Sequence, residues 1–94
     1  MEEKIKYSFH PRWKEELVCT SSQGRFAIEI TMGGAHHVNL PTKASWKVRA
    51  PAWAIDHWES IYSQLRTWCE QNHAKLFLIE DAYVFDVEEN PFSW

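Results

Sequence analysis

The chain has 94 residues, of which 45% are hydrophobic, 15% aromatic and 24% charged. This length and composition predict a single globular domain, residues 1–94, with one core. Ten Lys and Arg against thirteen Asp and Glu give a formal net charge of −3. That balance argues against nucleic acid as a ligand, because nucleic-acid-binding domains usually carry a basic surplus. No run of about 18 apolar residues is present, so a membrane span is not expected.

The first part of the chain reads as β-structure. Ile5, Tyr7 and Phe9 alternate with polar residues, which predicts a half-buried strand over Lys4–Phe9. His10-Pro11 should end this strand, because proline lacks the backbone N–H and restrains the residue before it. The later strand candidates are a β-hairpin of Glu16–Ser21 and Arg25–Met32 around Ser22-Gln23-Gly24, and a short strand over Ala35–Leu40.

The middle of the chain reads as helix. Thr42 is a good N-cap for about two turns over Lys43–Arg49. Pro51 suits the first position of a longer helix that runs to Asn72. Within Pro51–Asn72 the apolar residues recur at steps of three and four, which predicts one apolar helix face. This face comprises Ala54, Ile55, Trp58, Ile61, Tyr62, Leu65, Trp68 and Cys69. We expect this helix to be the centre of the core.

The C-terminal part returns to β-structure. Lys75–Ile79 and Tyr83–Val87 read as two strands around Glu80-Asp81-Ala82, with a single kinked strand as the alternative. The predicted order is β-β-β-α-β-β. Short turns between strands favour an antiparallel sheet packed on one long amphipathic helix, an α+β two-layer sandwich.

The two cysteines, Cys19 and Cys69, lie in no CxxC pair. Cys19 falls in a strand and Cys69 on the apolar helix face, so we expect two buried thiols, with a single disulfide as the alternative. The charged start Met1-Glu2-Glu3-Lys4 is followed by no apolar segment of the secretory type. The expected location is therefore cytoplasmic.

The histidines and acids are the candidates for chemistry or binding. His36 and His37 are adjacent, so on a strand they point to opposite faces and chelate one metal poorly. The C-terminal third carries five acids within ten residues, which indicate either a solvated strand end or an acidic patch for a basic partner. No catalytic residue, metal ligand or cofactor site is predicted. The candidate partner-binding residues are Glu80, Asp81, Asp86, Glu88, Glu89, Trp94, His36 and His37.

One stretch of the chain resembles a known class of proteins. It reads Leu40-Pro41-Thr42, Trp46, Ala50-Pro51-Ala52-Trp53-Ala54, Trp58, Leu65 and Trp68-Cys69. In style it is similar to small bacterial immunity proteins of polymorphic or contact-dependent toxin systems, which are short, acidic and Trp-rich and lack a catalytic signature. The resemblance implies binding to a cognate toxin domain and blockade of its active site. It supplies no shared binding residues.

Three functions follow as hypotheses. The leading one is a protein-binding module, most concretely an immunity-like or antitoxin-like inhibitor that covers a basic catalytic groove with acids and aromatic rings. The second is a structural homo-oligomer, such as a homodimer, that pairs through a free edge or face of the sheet. The third is a small enzyme that uses His36, His37 or the acidic strand.

Overall fold

The computed structural model describes residues 5–12, 15–31 and 36–86. These form one mixed sheet with helices packed on one face, which confirms the predicted α+β class. In chain order the elements are β1 (Ser8–Arg12), β2 (Glu16–Ser21), β3 (Gly24–Thr31), β4 (His36–Pro41), α1 (Lys43–Arg49), a 3₁₀ helix (Ala52–His57), α2 (Trp58–Gln71), β5 (Ala74–Ile79) and β6 (Val84–Asp86). Four strands precede the helices, one more than the predicted order counted.

The strands lie in the order β1-β2-β3-β4-β5. Neighbours from β1 to β4 are antiparallel, but β5 runs parallel to β4, with His36 opposite Ala74 and Pro41 opposite Ile79. The sheet is therefore mainly antiparallel, as predicted, and the parallel β4–β5 pair is a feature that the sequence did not predict. The physical reason is the connection: α1, the 3₁₀ helix and α2 lie between β4 and β5. A crossover of this length can return the chain to the same end of the sheet.

Strand β3 is long enough to pair with two strands along one edge. β2 pairs along one side of β3 from Gly24 to Glu29. On the other side, β4 pairs with Glu29–Thr31, and β6 pairs antiparallel with residues 26–28. The two C-terminal strands are thus separate elements, as predicted.

Strand β1 departs from the expected Lys4–Phe9 at both ends, because it begins at Ser8 and continues through Pro11. Phe9 lies opposite Cys19, and Pro11 lies opposite Leu17. Within the described residues, β1 pairs only with β2 and so forms an edge of the sheet. An edge strand tolerates proline where no neighbouring strand needs the missing N–H.

The hairpin between β2 and β3 confirms its prediction. The Ser21 hydroxyl accepts from the Gln23 N–H at 3.1 Å and donates to the Gly24 carbonyl at 3.1 Å. A Cβ placed on Gly24 would lie 2.8 Å from the Trp53 indole nitrogen. Glycine is required there because the Trp53 ring packs directly on the backbone of the turn.

The helices begin close to the predicted positions. The Thr42 side chain caps α1 by accepting from the Ser45 N–H at 3.4 Å. Pro51 precedes the next helix as its N-cap. The first six residues, Ala52–His57, are 3₁₀ and not α, and the Ala54 N–H bonds to the Pro51 carbonyl three residues back. The predicted stop at Asn72-His73 is confirmed, and His73 has a left-handed φ of 55°.

The core lies between the sheet and the helices. Its fully buried side chains include Trp46, Phe26, Leu17, Ile28, Ile30, Leu40, Ile61 and Leu65. From the predicted helix face, Ala54, Ile61, Leu65 and Cys69 are buried and Trp58, Tyr62 and Trp68 are packed against the cluster. Two indole N–H groups are satisfied by carbonyl oxygens: Trp46 donates to Ala54 at 2.8 Å, and Trp58 donates to Pro41 at 2.9 Å.

Both cysteines are buried and form no disulfide, which confirms the prediction of two thiols. Burial raises the pKa of Cys69 to about 11 and that of Cys19 well above its usual value. At neutral pH both thiols are therefore protonated. Among the described residues, no helix is long and apolar enough to cross a membrane.

Candidate functional site

Strand β5 carries three of the five large apolar side chains that are exposed among the described residues. Phe77, Leu78 and Ile79 are 40%, 43% and 36% exposed. Tyr83, four residues later, is 60% exposed. Buried strands and helices place almost every other large apolar side chain in the core, and Val48 on α1 is the further exception. Exposed apolar residues that adjoin one another indicate a binding surface more strongly than an isolated one.

The position of β5 in the sheet explains this exposure. β5 pairs with β4, and no described strand pairs with its other edge. Side chains alternate along a strand, so Leu76 joins the core while Phe77 and Ile79 point to the face opposite the helices. On that face the Phe77 ring meets the His37 ring edge-on, with centroids 5.2 Å apart. The Phe77 ring thus contacts His37 on one side, and another part of the ring is exposed to solvent.

Two acids directly follow the apolar strand. Glu80 and Asp81 are both exposed, and they lie in the turn that ends β5. The turn is closed by the Ala82 N–H, which donates to the Ile79 carbonyl at 3.2 Å. Beyond it, the Tyr83 and Phe85 rings stack with centroids 5.9 Å apart. We refer to the exposed side chains of Phe77, Leu78, Ile79, Glu80, Asp81 and Tyr83 as the β5 surface. Because Leu78 is on the same face of the strand as Leu76, this surface extends around the open edge of β5.

The structure brings together only some of the residues that the sequence singled out. Glu80 and Asp81 share one turn. His37 lies opposite Lys75, five positions before Glu80 and so roughly 16 Å away along the strand. His36 is exposed and lies opposite Ala74, on the other face from His37.

The remaining candidates are placed elsewhere or fall outside the described residues. Asp86 ends β6 with its backbone opposite Phe26. Glu88, Glu89 and Trp94 lie outside the described residues. Sequence reasoning missed Phe77, Leu78, Ile79 and Tyr83, because an unbroken apolar run such as residues 76–79 usually indicates a strand buried on both faces.

No three His, Cys, Asp or Glu residues within residues 5–12, 15–31 and 36–86 are grouped so that they could hold a metal ion. The two thiols are buried and protonated. What this part of the structure does provide is a contact surface: apolar side chains, a free strand edge and two adjacent carboxylates.

A groove lies near β1, at the edge of the sheet opposite β5. The groove, of about 400 Å³, runs between the start of β1 and α2, and Tyr7, Phe9, Gln64 and Trp68 line it. Gln64 links the two sides, since its amide donates to the Ile5 carbonyl at 2.6 Å and accepts from the Tyr7 N–H at 2.8 Å. These hydrogen bonds attach the segment before β1 to helix α2.

Comparison with known proteins yields no relative. No family model, no curated protein and no solved structure matches the chain. The function must therefore be argued from the β5 surface itself.

Proposed function

We propose that the chain is a protein-binding module that holds its partner on the β5 surface. The observation that carries this proposal is the juxtaposition of Glu80 and Asp81 with the exposed residues of β5. Protein interfaces commonly combine an apolar centre with a charged rim. The apolar side chains would supply buried area, and the carboxylates would select a partner with a basic rim.

The most concrete form of this module is an immunity-like or antitoxin-like inhibitor. In that role the β5 surface would cover a basic catalytic groove of a toxin domain, with the acids near its cationic residues and the aromatic rings against its walls. The net charge of −3 suits association with a basic protein. Inhibition would be steric and electrostatic, and it would require no chemistry from this chain.

The test uses the protein encoded by the gene next to that of this chain as the candidate partner. Glu80→Lys combined with Asp81→Lys should weaken the complex at least tenfold and flatten its salt dependence, since opposite charges steer and hold the partner. Titration calorimetry at two salt concentrations measures both effects.

The matched control reverses two acids elsewhere. Asp56 and Glu70 are exposed on the helical side of the molecule, and Asp56→Lys with Glu70→Lys produces the same change in net charge. Affinity should be retained in this control. Equal losses of affinity in the two double variants would show that only the net charge matters. A wild-type dissociation constant that does not change with salt concentration would contradict the role of the acids.

A further inference from the structure

Strand β5 has a backbone edge that the proposed partner surface does not explain. Within the described residues the sheet ends at β5, so the N–H and C=O groups on its outer edge meet no strand. Natural proteins usually protect such an edge with proline, several charges or a covering element. The six residues of β5 carry one charge, Lys75, and three exposed apolar side chains. An open edge of this composition readily accepts another strand.

We propose that the β5 edge pairs antiparallel with β5 of a second copy of this chain. The twofold axis stands perpendicular to the sheet at Phe77, so that Phe77 lies opposite Phe77 of the second copy. Two six-stranded sheets then form one continuous sheet, with the helices of both copies on the same face. This inference goes beyond the proposed function, because it concerns the strand edge and not the partner held on the side chains.

Symmetry restricts the register. A perpendicular twofold axis keeps each face of the sheet on its own side, so a residue can lie opposite only a residue of the same face. With Phe77 at the axis, Leu76 lies opposite Leu78 of the second copy, and Lys75 lies opposite Ile79. Apolar side chains therefore meet at the Phe77–Phe77 and Leu76–Leu78 pairs, and such cross-strand pairs stabilise a sheet. The Ile79 side chain lies beside the aliphatic part of Lys75.

Charge selects the antiparallel direction. The strand begins near His73 and Lys75 and is followed by Glu80 and Asp81. Antiparallel pairing brings the basic end of each copy beside the acidic end of the other. Parallel pairing would place like ends together, which is unfavourable for charges directly opposite each other. The sequence of this edge is therefore complementary to itself.

The size of the contact sets its strength. Six residues per copy bury less than the ~1,000 Å² that marks stable interfaces. The dimer should therefore be weak, with a dissociation constant in the micromolar range, and it should dissociate on dilution.

The first experiment measures mass against concentration by sedimentation velocity. The wild type should shift from monomer to dimer as concentration rises. Phe77→Lys and Phe77→Glu should each remain monomeric, because each places two like charges at the axis. An equimolar mixture of the two variants should dimerise again, because opposite charges then meet there. Phe77 is 40% exposed, so both variants should fold, which circular dichroism checks.

The control is Val48, which is 86% exposed and lies on the helix α1 and not on a strand. Val48→Lys and Val48→Glu should dimerise like the wild type, alone or mixed. A wild type that stays monomeric up to millimolar concentration overturns the proposal. So does a Lys and Glu mixture at position 77 that stays monomeric, which would point to another occupant of the edge, such as residues 87–94 or a different protein.

The second experiment tests the register by oxidative cross-linking. Phe77→Cys should form a disulfide dimer readily, because directly opposite residues in an antiparallel pair bring their Cβ atoms within about 5.5 Å. Leu78→Cys should cross-link poorly, since it lies diagonal to itself at about 7–8 Å. Val48→Cys should not cross-link. Equal cross-linking at 77 and 78 would contradict the Phe77-centred register.

The two proposals fail independently. The dimer is measured on the purified chain alone, whereas the proposed function is measured as affinity for a second protein. The two proposals are separated if Phe77→Lys abolishes the dimer and the Glu80 and Asp81 reversals weaken the complex with the partner.

Discussion

In the described part of the chain, β1 and β5 are the two edge strands of the sheet, and their residues differ in kind. β1 carries Pro11, which has no N–H to offer, and its Arg12 forms an ion pair with Glu16 on β2. Its apolar residue Phe9 faces the core. β5 carries no proline, one lysine and three exposed apolar side chains. β1 thus has two features that oppose pairing with a further strand, a proline and an ion pair at its end, and β5 has neither.

The largest expected difference between the edges is in stability. Phe9 is 91% buried and its ring lies 6.2 Å from that of Trp68. Phe9→Ala should lower the free energy of unfolding by about 3 kcal/mol, since a buried ring and its packing are lost. Phe77→Ala should lower it by only about 1–2 kcal/mol, because 40% of that residue is already exposed. Urea denaturation of both variants checks this, and similar losses would contradict the comparison.

The approach to β1 contains a buried hydroxyl whose removal should stabilise the protein. Tyr7 is 8% exposed, and no described group forms a hydrogen bond with its hydroxyl oxygen. Tyr7→Phe should raise the free energy of unfolding by about 1 kcal/mol at neutral pH, because an unpaired buried polar group is removed. Urea denaturation at pH 7 measures the change, and a clear loss of stability would show that the hydroxyl has a partner.

The same residue predicts a pH dependence. Burial, with a smaller effect from Cys19, raises the pKa of Tyr7 to about 12, against 10.0 for an exposed tyrosine. Between pH 10 and 12 the unfolded chain loses this proton while the folded chain keeps it, so stability falls as pH rises through that window. Tyr7→Phe should fall less steeply there. Identical slopes for the two proteins from pH 10 to 12 would contradict the assignment.

The entry to β5 contains a strained backbone position. His73 has a φ of 55°, a conformation that costs side chains with a Cβ more than it costs glycine. His73→Gly should therefore raise the free energy of unfolding by about 0.5–1 kcal/mol, with part of the gain lost to the more flexible unfolded chain. His73→Ala is the control and should give no gain. Thermal unfolding of the two variants separates conformational relief from loss of the imidazole.

The smallest expected effect on stability is at Pro11, where the change is instead in association. Pro11→Thr supplies an N–H to the β1 edge and should alter the free energy of unfolding by less than about 0.5 kcal/mol. Made together with Phe77→Lys, which charges the β5 edge, it should produce new association at high concentration. Light scattering of the double variant against Phe77→Lys alone measures this. No difference would show that proline is not what closes β1.

The sequence predicted where the helices and strands lie more accurately than it predicted how they pair and pack with one another. The β2–β3 hairpin, the Thr42 cap and the helix stop at Asn72 follow from local chemistry: turn residues, a hydroxyl N-cap and a break in the apolar period. Local patterns also carried the α+β class and the two buried thiols. The parallel direction of β5, the passage of β1 through Pro11 and the 3₁₀ start of the long helix were not predicted. Each of these three features depends on which helix or strand packs against the segment concerned.

The residues of the candidate site also fall into two groups, those that the sequence identified and those that only the structure revealed. Sequence alone singled out Glu80 and Asp81, because a cluster of charge is visible without a fold. It could not show that Phe77, Leu78 and Ile79 are exposed, because a run of apolar residues can form either an edge strand or a central strand of a sheet. By itself, then, the sequence determined the local elements, the class and the acidic turn. Only the tertiary structure decided that β5 is an edge strand among the described residues, since strand order is set by long-range packing and not by the residues of the strand.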